Sequence, residues 1–127
     1  MDALNAFQAP PLISAILLTL ILAVGNALAL FQVHLGATGR LPFTGIAGIK
    51  TPATRESQAA WEAGHRAAWP WALAGNGGAI LAAVAMLFAK DSAAPWLLAL
   101  GAAILLAGIG VVGGLIAAHR AAKRASR

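Results

Sequence analysis

Cysteine is absent from the 127 residues. That excludes disulfides, thiolate metal sites and a cysteine nucleophile. Charge is scarce: 10% of residues are charged, where soluble domains carry roughly a quarter. Only four residues are acidic, and they form no paired carboxylate for acid–base work. Nor does the chain hold a Ser/His/Asp set or metal-ligand spacing. His34, His65 and His119 at one depth are the faintest metal hint. No enzyme activity, cofactor or metal is expected.

The net charge is +5, but the basic residues stand outside the apolar stretches, where membrane proteins place them. Nucleic acid is therefore not an expected partner. A soluble helical bundle would need polar stripes at helical spacing, and the apolar runs after residue 68 have none.

What the chain has instead is apolar length: 60% of it is hydrophobic. A bilayer core about 30 Å thick needs about 20 apolar helical residues. Three runs are long enough: residues 11–35 (PLISAILLTLILAVGNALALFQVHL), 69–88 (WPWALAGNGGAILAAVAMLF) and 95–118 (PWLLALGAAILLAGIGVVGGLIAA). The expected architecture is an all-α membrane protein with one domain over residues 1–127. It has three transmembrane helices and an interfacial helix in the loop 36–68. Ala27-Leu28-Ala29 resembles a signal-cleavage site. Against cleavage, the preceding MDALNAFQAP carries Asp2 and no Lys or Arg, and the run is too long for a signal core.

Orientation follows from Lys and Arg in short loops. Arg40, Lys50, Arg55 and Arg66 follow the first span; Arg120, Lys123, Arg124 and Arg127 follow the third. Lys90, beside Asp91, is alone after the second. Eight of the nine basic residues thus fall on one side, which predicts the N-terminus outside and the C-terminus cytoplasmic. Trp69, Trp71 and Trp96 stand at span edges, where indole favours the headgroup layer.

Asn26 and Asn76 need partners in hydrocarbon. They lie at similar depth, so they can pair with each other or form a small polar site. Gly110 and Gly114 make a GxxxG pair that permits close helix packing, within the chain or in a dimer.

The segment GIAGIKTPATRESQAAWEAGHRAA, residues 45–68, is written differently from the rest. Its glycine-rich beginning argues against a long helix. From Thr51 onward it reads as a helix, with Thr51 as cap and Pro52 at the first helical position. On that helix Thr54, Gln58, Trp61, His65 and Ala68 share one face, and Arg55, Glu62 and Arg66 another. Glu62 can pair with Arg66. Trp61 reads as buried or as an interfacial anchor. The ordinary reading of His65 is an exposed or headgroup-facing side chain.

Residues 39–68 resemble the signature of the SdpI family of small bacterial membrane proteins. Members typically read Gly-Ile-Arg-Thr-Pro, then a Thr, a Ser-Glu pair, a Trp and an Asn-Arg or His-Arg pair. Here Gly48-Ile49-Lys50-Thr51-Pro52 matches with Lys in place of Arg. Thr54, Ser57, Trp61, His65 and Arg66 follow in order, and Gln58 stands where Glu is usual. The layout of one helix before the motif and two after agrees. The resemblance implies a multi-pass protein of the bacterial inner membrane. It also implies immunity to a membrane-active peptide toxin, or signalling by capture of a repressor protein. Lys50, Thr51, Pro52, Thr54, Arg55, Ser57, Trp61, His65 and Arg66 would then form the partner-binding motif. The alternatives are an accessory subunit of a larger membrane complex and a small oligomeric transporter built around Asn26 and Asn76.

Overall fold

The computed structural model describes residues 8–127; most of the N-terminal tail, Asp2 included, lies outside the described residues. Three helices follow in order: α1 (Leu12–Ala37), α2 (Gln58–Phe88) and α3 (Ala93–Ala125). Each is long and apolar enough to cross a membrane. This is an all-helical, multi-pass architecture.

The separate interfacial helix expected over residues 51–68 is absent. Residues 51–57 form turns, and residues 58–68 are the beginning of α2. Two local features explain the correction. Ser57, with extended backbone, is the true cap: its Oγ accepts the Ala60 N–H at 3.0 Å, meeting one of the donors a helix start leaves free. Pro70, next to the expected start of the second span at Trp69, lies inside α2. It is exposed and removes only one backbone donor, which membrane helices tolerate. At 31 residues, α2 is about 46 Å long. That exceeds the hydrocarbon by about ten residues, and the surplus falls on the stretch holding Glu62, His65 and Arg66, ahead of the apolar run from Trp69.

Side-chain size is sorted opposite to the habit of water-soluble proteins. The buried positions are mostly alanine and glycine, among them Ala68, Ala72, Ala79, Ala83, Ala103 and Ala118. Large aliphatic residues such as Leu17, Ile21, Leu81, Leu98 and Leu105 face outward. In lipid, burying leucine gains little, whereas small residues let backbones approach. In water the same surface would be a large apolar patch.

α2 is the middle element. α1 packs on one flank and α3 on the other, and the two outer helices scarcely meet. The α2–α3 crossing is closest at Gly75, where a Cβ would collide with the backbone of Gly110 and the Leu106 carbonyl. Gly110 and Gly114 therefore face α2 within the chain, both buried. The Trp71 ring covers Gly113. On the other flank, Val33 packs with Ala68 and Ala72, and the His34 and Trp69 rings lie 5.3 Å apart. Among the described residues, Asn76 and Asn26 make a side-chain bond across this flank: Asn76 Nδ2 donates to Asn26 Oδ1 at 2.8 Å. Asn26 Nδ2 in turn donates to the Leu22 carbonyl.

Candidate functional site

Segment 38–57 is irregular, but its interior end is strongly fixed. Trp61, His65 and Thr54 are among the largest fully buried side chains of the described residues. His65 stands on α2 between two glycines. A Cβ on Gly36 of α1, or on Gly48 of the loop, would run into the His65 ring. Gly48 also lies against the Trp61 indole and has φ +103°, a backbone region that side chains other than glycine's rarely adopt. The loop can thus lie on the two rings, whose centroids are 4.2 Å apart.

The hydrogen bonds of His65 fix its tautomer. The Ile49 N–H can only donate, and it reaches Nε2 at 3.0 Å. The Trp61 carbonyl can only accept, and it lies 2.8 Å from Nδ1. The ring is therefore neutral, with its proton on Nδ1. Burial lowers its proton affinity below the ordinary imidazole value, opposed in part by the Trp61 carbonyl. The Trp61 Nε1 donor is buried with no protein acceptor among the described residues.

Thr51 and Thr54 build the next turn through each other. The Thr51 N–H donates to Thr54 Oγ1 at 2.8 Å, and the Thr54 N–H donates to Thr51 Oγ1 at 3.1 Å. Thr54 Oγ1 donates onward to the Ile49 carbonyl. Side chains of this kind compete with the helix for backbone groups, which is why α2 begins only after Ser57. The turn is tied to α3 by His119 Nδ1 and Thr51 Oγ1, 2.9 Å apart. It is tied to α1 through Gln32, whose Oε1 accepts the Gly48 N–H at 3.0 Å. One short segment, residues 48–54, is therefore bonded to all three helices, through backbone N–H groups to α1 and α2 and through the Thr51 hydroxyl to α3.

Of the sequence-derived residues, Thr51, Thr54, Trp61 and His65 come together in this network. Ser57 is the helix cap. Lys50, Pro52, Arg55 and Arg66 are exposed around it, and Arg66 lies 3.7 Å from Glu62. Trp61 and His65 do share a face with half-buried Gln58, but that face points into the protein. The ordinary reading of His65 as exposed is corrected: Gly36 and Gly48 make room for it. Gln32 and Gly36 contribute without having been singled out. Their spacing of four, on one face of α1, was the available signal. The three histidines do not converge: among the described residues, no group of three or more His, Asp or Glu could hold a metal ion.

A model of the SdpI/YfhL protein family matches residues 40–119. The chain belongs to that family. No curated protein and no solved structure matches it. In this SdpI/YfhL member the matched region begins in the irregular segment and ends at His119, the α3 residue that meets Thr51. α1 lies before the match, yet it supplies Gln32 and Gly36 to the same network.

Proposed function

We propose that this SdpI/YfhL-family chain is a non-enzymatic protein of the bacterial inner membrane that counters a membrane-active peptide toxin and signals through segment 45–68. In this reading the segment faces the cytoplasm, the N-terminus lies outside and the C-terminus inside. The observation that carries the proposal is the bonding of residues 48–54 to all three helices while Lys50, Arg55 and Arg66 remain at the surface. A mere connector between two spans needs no buried Trp–His–Thr network. A rigid cationic platform joined to each span is suited to passing a change among the helices to a cytoplasmic partner, such as a repressor protein. The orientation is supported by Lys90 and Asp91, which lie 2.7 Å apart and leave the opposite loop nearly neutral.

The test is a gene deletion challenged with a broad panel of secreted and membrane-active peptides. Greater sensitivity to at least one peptide is expected, with rescue by the wild-type gene and not by His65→Ala. Sensitivity unchanged across the panel would sink the immunity reading. Signalling is tested separately with Arg55→Glu/Arg66→Glu, which is expected to keep protection while abolishing any peptide-dependent transcriptional response.

A further inference from the structure

A cavity of about 260 Å³ lies between the three helices, closed on one side by Gly48, Ile49 and Lys50. Its size is near the lower end of small-molecule sites, which begin at roughly 300 Å³. Most of its wall is small or aliphatic: Ala29, Val33, Ala72, Val111 and Leu115. The polar groups are few, and their directions can be worked out. The Gly48 N–H donates to Gln32 Oε1, so the Gln32 amide nitrogen is the free end, with no protein acceptor among the described residues. Asn76 closes another part of the wall, its Nδ2 committed to Asn26 and its Oδ1 against Gly110. Lys50 makes no ion pair among the described residues.

Lys50 and Leu115 also line a second, shallower groove, on the α3 side, together with His119 and Arg120. No Asp or Glu lines either space. Around Lys50, then, two cations and an amide donor are unspent, next to apolar walls. The helices on either side of the cavity, α1 and α3, scarcely meet, and their outer faces carry exposed Leu, Ile and Val.

We propose that this cavity receives an acyl chain of one anionic phospholipid, whose phosphate is held by Lys50 at the junction with the Arg120 groove. The phosphate takes the charge-assisted bonds that a zwitterionic headgroup would offset with its own cation. The Gln32 amide supplies the donor that an ester carbonyl accepts. The aliphatic wall receives the chain, and the gap between α1 and α3 is its route from the bilayer. This site does not depend on the immunity reading.

The experiment uses the full-length protein in nanodiscs of equal phosphatidylglycerol and phosphatidylcholine, released into native mass spectrometry. One phosphatidylglycerol per chain is expected to be retained in preference to phosphatidylcholine. Lys50→Gln removes the cation, and Ala29→Leu fills the cavity. Each is expected to lower the retained fraction about tenfold, the weight of one charged hydrogen bond or the equivalent loss of fit. Lys123→Gln/Arg124→Gln, in the tail, is expected to retain the lipid as wild type does. The proposal is overturned if wild type shows no preference or if Lys50→Gln keeps the lipid. It also fails if the tail variant loses as much, or if the retained mass is a free fatty acid. Should Ala29→Leu lose helicity, the exposed Lys50 substitution decides alone; a folded Ala29→Leu that keeps the lipid also overturns it.

Discussion

His65 accepts from one backbone group and donates to another, so a second proton on its ring would break the bond from Ile49. The unfolded imidazole titrates near 6.5, and the folded one lower. The folded state thus binds the proton more weakly. Stability from His65 is complete above the unfolded value and is lost as pH falls toward the folded one. Thermal unfolding of the purified protein is expected to show Tm falling from about pH 7 to about pH 5, the range in which histidine changes charge. His65→Gln, which has an acceptor and a donor but no titration, should flatten that slope; an equal slope in the variant would assign it to another group. The asparagine pair is the other residue-scale case. A double-mutant cycle of Asn26→Ala and Asn76→Ala is expected to give a coupling of about 0.6 kcal/mol, and no more than about 1.7, as membrane hydrogen bonds do. A coupling of zero, measured by unfolding in micelles, would mean that the bond adds nothing beyond its two ends.

Helix packing divides the glycines into two groups. Gly110 faces Asn76 and the α2 backbone, which cannot move aside, whereas a Cβ on Gly108 or Gly101 meets nothing. Gly110→Ala is expected to destabilise by about 1–3 kcal/mol, the usual cost of overpacking. Gly108→Ala should be neutral or slightly stabilising, because alanine favours the helix. Comparing the two melting temperatures checks this, and equal shifts would contradict the packing described. This division also marks how far the sequence could be read. The three spans were legible because apolar runs of twenty or more residues without a formal charge match a bilayer crossing, and Asn26 with Asn76 because two polar residues at one depth need partners. The start of α2 was not. Thr51-Pro52 and Ser57 are both good cap signals, and only the reciprocal Thr51–Thr54 bonds decide between them. His65 was misread for a related reason: its burial depends on Gly36 and Gly48, and the room a glycine leaves is visible only when the chain is folded around it.

At the scale of the whole molecule, the lack of cysteine is an experimental advantage. Any introduced thiol is the only one, so single variants report topology without background. Ser92→Cys is expected to react with a membrane-impermeant maleimide in intact cells. Glu56→Cys and Ser126→Cys should react only after permeabilisation. The opposite pattern would invert the orientation proposed from the basic residues, while leaving the packing of the helices untouched.

The bond between Thr51 and His119 joins residues 68 positions apart, and Gly64 likewise rests against the Ala118 backbone. During synthesis, the turn at Thr51 leaves the ribosome well before the helix that completes it. Until α3 is in the membrane, this segment lacks one of its three attachments. A chain stopped after its second span would present the motif unfinished. Completion of the motif therefore marks a molecule whose third helix has inserted, and a chain that lacks α3 is distinguishable from one that has it at the very surface proposed to meet its partner.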